Sequence, residues 1–261
     1  VAQIGEDPIF ARYPMRSFPC DLAIESGAAA AITALDAALA NIAPDAARIS
    51  SSRKRLTELA VELRAQARKT AEPAGDRITV PYASRCVAEA VGVDAVIFNE
   101  YPLSPDHCPR ERPGTYFGTS TAGGLGWGLG AALGAKLAAP ERLVVAVIGD
   151  GTYLFTNPTV CHWVGEAHKL PVLTVIFNNS RYGAVRRATL SMFKDGAAGE
   201  DDGRFLADLD PSPAYEELVK AQGGHGERVE RSADLPGALA RARDAVMRDR
   251  RQALLNVICP Y

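Results

Sequence analysis

Leu143-Val144-Val145-Ala146-Val147-Ile148-Gly149-Asp150-Gly151 is the stretch that decides the fold. Six apolar residues, mostly β-branched and without polar alternation, predict a strand buried on both faces of a sheet. The run stops on an acid between two glycines. A second run, Pro171-Val172-Leu173-Thr174-Val175-Ile176-Phe177, stops on Asn178-Asn179 in the same way. One helical segment, 155–169, is expected between them. Strand, helix and strand joined in this way form a right-handed parallel crossover, so the two strands should be sheet neighbours.

The alternation extends outward. Helical spacing is expected over 81–91, 124–137, 214–221 and 235–247, and strands over 95–99, 228–230 and 253–258. A Pro- and Gly-rich loop fills 101–118, and a polar, Gly-rich stretch fills 187–213. The expected fold class is α/β, a mostly parallel sheet flanked by helices on both faces. Upstream, Val1-Ala2-Gln3-Ile4 reads as a strand, and residues 1–22 continue as an extended Pro-rich exit. Helices follow over 27–40 and 50–71. The second has a mixed-charge face (Arg53, Lys54, Arg55, Glu58, Glu62, Arg64) that reads as solvated.

Composition narrows the function classes. With 261 residues and 47% hydrophobic content a sizeable core can form, while a formal net charge of −2 without a basic stripe argues against nucleic-acid binding. No apolar run is long enough to span a bilayer. Cys20, Cys86, Cys108, Cys161 and Cys259 are odd in number and scattered, with no CxxC pair, so they suggest neither a disulfide framework nor a zinc site and fit a reduced, cytoplasmic setting.

In a parallel sheet, ligands bind beyond the carboxyl ends of the strands. The residues after Asn99, Ile148 and Phe177 are therefore the place for chemistry. Asp150 and Asn179 bring a carboxylate and a carboxamide to adjoining strand tips, with no sulfur or imidazole nearby. Hard oxygen donors of this kind suit magnesium or calcium rather than zinc. The glycines beside Asp150 let a diphosphate approach the backbone.

Gly149-Asp150-Gly151, 26 intervening residues and Asn178-Asn179 match the thiamine-diphosphate binding motif. Arg112-Pro113-Gly114-Thr115-Tyr116, Thr121-Ala122-Gly123-Gly124-Leu125-Gly126 and Asn179-Ser180-Arg181-Tyr182-Gly183-Ala184-Val185-Arg186 resemble the cofactor domain of the acetohydroxyacid synthase and benzoylformate decarboxylase group. Gln3-Ile4-Gly5-Glu6-Asp7-Pro8 is similar to the closing strand and turn of the middle domain in those enzymes. The resemblance implies a remnant of the middle domain and linker over residues 1–40, and a C-terminal thiamine-diphosphate domain over 41–261.

Roles follow from the resemblance. The Asp150 and Asn179 side chains and the Arg181 carbonyl would ligate Mg2+, with Asn178 anchoring the turn. Gly149, Gly151, Thr152 and Tyr182 would lie along the diphosphate. Gly123, with Gly124 beside it, would accept from the aminopyrimidine, and Leu125 would wedge beneath the cofactor and bend it. Glu100 would be structural or near the diphosphate. Relatives often follow that position with Ser or Thr, where this chain has Tyr101-Pro102-Leu103. Thr119 and Ser120 would line the substrate pocket, and His107 would face it if any histidine does. His162, His168 and His225 read as packing or surface residues. Residues 188–210 resemble a mobile cover, with an acidic Gly-rich part at 196–203.

The implied reaction is decarboxylation or carboligation of a small-molecule 2-oxo acid, as in acetolactate synthase. Alternatives are an aromatic 2-oxo-acid decarboxylase, a 2-hydroxyacyl-CoA lyase, or a non-catalytic partner module retaining the fold. A dinucleotide-binding oxidoreductase fits less well, because the first strand–helix turn lacks GxGxxG. No catalytic residue is assigned in this chain. The activating glutamate is expected from the pyrimidine-binding domain of a neighbouring subunit, so these residues alone should be inert and the intact enzyme a homodimer or homotetramer.

Overall fold

A computed structural model describes residues 1–13, 18–118, 123–200 and 207–259, and its contacts divide the chain into Val1–Val61 and Glu62–Tyr261. The first unit holds two short parallel strands, β1 (Ala2–Gly5) and β2 (Leu22–Glu25), in register from Ala2 against Leu22 to Gly5 against Glu25. Helix α1 (Ala28–Leu39) follows, and α2 (Ala46–Thr70) begins here and ends in the second unit. Neither helix buries a residue. The division falls inside α2.

The second unit is built on a six-stranded sheet. Its elements are α3 (Val80–Val91), β3 (Val96–Glu100), β4 (Tyr116–Phe117), α4 (Gly128–Ala138), β5 (Val144–Gly149), α5 (Asp150–Phe155), α6 (Pro158–Ala167), β6 (Leu173–Asn178), α7 (Gly183–Met192), α8 (Tyr215–Lys220), β7 (His225–Val229), α9 (Leu235–Met247) and β8 (Ala253–Ile258). The strand order is β4-β3-β5-β6-β8-β7, and every pair is parallel. As β5 and β6 are neighbours, the crossover expected from the two apolar runs is present.

The lack of polar alternation in β5 has a direct packing consequence. Successive side chains point to opposite faces, so Val145 and Val147 enter one core with α3 and α9, while Val144, Ala146 and Ile148 enter another with α4, Tyr153 and Tyr215. Both faces are covered, and both cores include residues that are fully buried. Capping fixes where α3 begins and ends: the Thr79 side chain accepts from the Tyr82 amide at 3.3 Å, and Gly92 leaves the helix at a positive φ of 72°.

Three expectations need correction. Two helices, not one, separate β5 and β6, because Asn157 sits at φ 53° ahead of Pro158. Proline disfavours the helical region for its predecessor and opens a new helix itself. The segment expected to be helical from 124 is not so until Gly128, since Gly126 lies at φ 91°. Part of the polar stretch 187–213, and of the cover 188–210, belongs to α7, and β2 lies just beyond the extended exit. His225, read from the sequence as a packing or surface residue, begins β7.

Candidate functional site

Register brings three strand tips together. Glu100 of β3 lies opposite Ile148 of β5, and Gly149 of β5 lies opposite Phe177 of β6. Just beyond these pairs opens a cleft of about 480 Å³. Gly123, Leu125, Gly149, Asp150, Gly151, Thr152, Asn179, Arg181 and Tyr182 all line it. Of the residues named from the sequence for cofactor or metal, Gly124 is the one not on the lining. Thr119, Ser120, Thr121 and Ala122, and part of 196–203, lie outside the described residues.

Asp150 and Asn179 form one wall. An Asp150 carboxylate oxygen and the Asn179 side-chain oxygen each accept from the Arg181 amide at 3.2 Å. Two oxygens held at the same distance from one nitrogen face a common point. Asp150 is only 3% exposed, and burial pushes its carboxyl up to about 6, against the pull of nearby backbone N–H groups. A buried carboxylate of this kind gains most from a cation in contact with it. Among the described residues no three His, Cys, Asp or Glu side chains cluster as a metal site, so a hard cation here would rest on the mixed set of one carboxylate, one amide oxygen and a backbone carbonyl. That donor chemistry fits magnesium.

The neighbouring Asn178 is turned away. Its amide nitrogen donates to Ser212 Oγ and Asn256 Oδ1, both at 2.9 Å, and its oxygen accepts from the Ser180 amide at 2.9 Å. It ties the β6 tip to β8 and the Ser180 turn. The 180–182 segment is tied again to the far end of the cover: Tyr182 N donates to Ala207 O and Leu209 N to Ser180 O, each at 2.7 Å, and Arg181 pairs with Asp208 at 3.7 Å. The Tyr182 ring lies against Gly151, where an added Cβ would fall 2.5 Å from a ring carbon. Any larger residue would have to displace the ring.

The other wall is residues 123–128. Gly123 and Leu125 face the cleft, and Leu125 is 37% exposed. Beneath the turn lies Glu100, whose carboxylate accepts from the Gly126 and Gly128 amides at 2.6 and 2.7 Å. Tyr101 follows at φ 83°, a strained conformation for a bulky residue, and lines the cleft with Pro102. Asn99 holds this bend by accepting from Leu103 N at 3.0 Å and donating to Leu103 O at 2.9 Å.

The sequence named two contributors without placing them. Residues 183–188 of α7 wall the cleft; the apolar spacing Val185, Ala188, Met192 is the available signal. Glu100 closes an otherwise apolar strand, and a charge at a buried strand tip is the feature that marks it. The histidines stand apart. His107 is bonded between Ser104 Oγ at 2.8 Å and Thr70 Oγ1 at 2.9 Å and does not line the cleft. His162 is buried between Tyr153 and Gln252, at 2.7 and 2.9 Å, and burial lowers its pKa.

Comparison with known proteins agrees with this geometry. Residues 103–257 match the family described as "Thiamine pyrophosphate enzyme, C-terminal TPP binding domain". A sulfoacetaldehyde acetyltransferase of Castellaniella defragrans is 27% identical over 175 residues, which are 67% of this chain and 28% of that protein. A 2-hydroxyacyl-CoA lyase of Oryza sativa is 34% identical over 157 residues, 58% of this chain and 25% of that one. Among solved structures, a thiamine diphosphate-dependent 4-hydroxybenzoylformate decarboxylase of Rhodococcus jostii superposes with a TM-score of 0.61 at 26% identity, covering 73% of this chain and 34% of its own. The chain spans about a third or less of the length of these relatives. The family match covers more than half of its residues and includes both walls of the cleft apart from Glu100 and its bend, so the chain belongs to the thiamine pyrophosphate enzymes and carries their C-terminal TPP-binding domain.

Proposed function

We propose that the cleft holds thiamine diphosphate with its diphosphate on a magnesium ion bound by the Asp150 and Asn179 side chains and the Arg181 carbonyl. The reading is carried by the convergence of the Asp150 and Asn179 oxygens on one amide at the cleft floor. When bound, the cofactor supplies a nucleophilic thiazolium carbon and an electron sink for cleavage of a bond to a carbonyl carbon. This chain's residues anchor, shape and shield. Gly151 and Thr152 would hold the diphosphate, the Gly123 carbonyl would accept from the aminopyrimidine, and Leu125 would support the rings. The α7 wall would limit water.

The proposed reaction of the intact protein is decarboxylation or carboligation of a 2-oxo acid, or cleavage of a 2-hydroxyacyl-CoA. We assign no residue here to cofactor activation; that glutamate would come from the pyrimidine-binding domain of a neighbouring subunit in a homodimer or homotetramer. The five free cysteines fit a reduced, cytoplasmic setting, and no helix of the described residues is long and apolar enough to cross a membrane.

Calorimetric titration of the intact protein with thiamine diphosphate, with and without magnesium, tests the site. Tight binding should require magnesium and disappear in a folded Asp150→Ala variant. Magnesium-independent binding, or binding retained by that variant, would falsify the reading. Product analysis after supplying pyruvate, benzoylformate, a 2-hydroxyacyl-CoA or sulfoacetaldehyde separates the reactions.

A further inference from the structure

We infer that Glu100 is a positioning residue: from beneath residues 123–128 it sets how well the cleft grips the ring end of the cofactor, leaving the grip on the diphosphate end unchanged. The inference rests on the reading of the cleft proposed above. Glu100 is completely buried, and its two carboxylate oxygens accept separately from the Gly126 and Gly128 amides at 2.6 and 2.7 Å. Among the described residues it makes no ion pair. Burial pushes its carboxyl above the usual range, and the amides of the turn pull it back.

The double contact explains the residue type. Two N–H groups pointing inward need two acceptors, and a carboxylate offers both, whereas a glutamine of the same length presents one acceptor and one donor. The turn has no slack on either side. A Cβ on Gly128 would stand 2.8 Å from a Glu100 oxygen and 3.3 Å from Ile148, and a Cβ on Gly126 would stand 2.5 Å from the Phe155 carbonyl oxygen. The turn is thus pinched between the β3 tip and the last residue of α5. Leu125, which lines the cleft, directly precedes the pinned Gly126 amide, and Gly123 lies two residues further back on the same lining. The Glu100 carboxylate accepts from Gly126 and Gly128 and shares no hydrogen bond with Asp150, Asn179 or Arg181, whose mutual contacts do not pass through it. Removing one acceptor should therefore loosen the ring wall alone.

Two probes separate the ends of the cleft. The intact protein and its Glu100→Gln variant are titrated calorimetrically with thiamine diphosphate and, separately, with inorganic pyrophosphate, both with magnesium. Thiamine diphosphate affinity should fall about tenfold or more, the scale of one lost charge-assisted hydrogen bond. Pyrophosphate affinity should change by less than about twofold, because no side-chain hydrogen bond links Glu100 to Asp150, Asn179 or Arg181. Equal loss of both probes, or no loss of either, overturns the inference and leaves the cofactor reading standing. If the unsubstituted protein binds neither probe, the cofactor reading has failed and takes this one with it. Should the variant not fold, hydrogen exchange in the unsubstituted protein decides. The Gly126 and Gly128 amides should be protected without ligand, slowed further by thiamine diphosphate and unaffected by pyrophosphate; rapid exchange without ligand, or equal slowing by both, overturns the inference.

Discussion

On one side of the cleft, Asp150 and Asn179 reach the ligand space with their own side chains from the tips of β5 and β6; on the other, residues 123–128 present mostly backbone, and the side chain that shapes them, Glu100, is hidden beneath. The first wall is defined by what its side chains are. The second is defined by where a backbone is held, so its chemistry lies one layer back. The contrast teaches that substitutions on the two walls should fail differently: ligand affinity without loss of fold on the first, fold and ligand geometry together on the second.

The largest expected effect tests the first wall. Asn179→Ala should lower magnesium-dependent thiamine diphosphate affinity by roughly a hundredfold or more, since loss of an outer-shell partner alone costs about 10- to 100-fold. Its thermal midpoint without ligand should hardly move, because Asn179 makes a single long contact. A large fall in that midpoint, read by circular dichroism, would erase the distinction between the walls.

Next comes Gly126→Ala on the second wall. Position 126 combines φ 91° with a Cβ that would lie 2.5 Å from the Phe155 carbonyl oxygen, so strain and overpacking together should cost about 3 kcal/mol of stability. Denaturant unfolding measures this directly, and a loss below about 1 kcal/mol would mean the turn yields easily.

Asn178→Ala sharpens the comparison from within the metal wall. This residue is fully buried, and truncating it removes the bonds to Asn256 Oδ1 and Ser212 Oγ and the acceptor of the Ser180 amide, although Asn256 keeps its bond to Glu216. Stability should drop by about 2 kcal/mol, with magnesium affinity of the folded protein falling far less than in Asn179→Ala. Adjacent asparagines would then have opposite phenotypes.

The smallest effect is a control at the sheet edge. Hydrogen bonds from Arg241, at 2.7 and 3.0 Å, and then from His225 hold the Glu227 carboxyl below its ordinary value of 4.5. A depressed carboxyl stabilises the fold at pH above its unfolded value and loses that contribution as the pH falls through the folded one. Glu227→Gln should therefore flatten part of the acid limb of a stability–pH curve, by about 1 kcal/mol or less. It should leave cofactor affinity alone; a change there would show that the cleft responds to general destabilisation.

Much of the fold was legible because its strands are uniform. Runs such as 143–148 and 171–177 are apolar throughout, and a strand buried on both faces leaves no other reading. Asp150 and Asn179 were legible because each ends such a run, and parallel connectivity forces neighbouring tips to share an edge. The break at Asn157-Pro158 was present in the sequence but overridden by helical spacing on both sides. The late start of α4 was masked because Gly123, Gly124, Gly126 and Gly128 read equally as a small-residue helix face. Helix α7 was missed because its segment read as part of a polar, Gly-rich stretch, although the spacing Val185, Ala188, Met192 is helical; it buries no residue.

The sequence by itself determined which segments become central strands, that they run parallel, and that an acid and an amide arrive at adjacent tips with glycines around them. These are consequences of residue type and local spacing. Tertiary structure alone decided that the Asp150 and Asn179 oxygens meet at the Arg181 amide, that Asn178 turns inward, and that Glu100 lies beneath Gly126 and Gly128. The physical reason is that hydrogen-bond direction depends on the register and dihedral angles of segments far apart in the chain, so no single stretch of residues carries it.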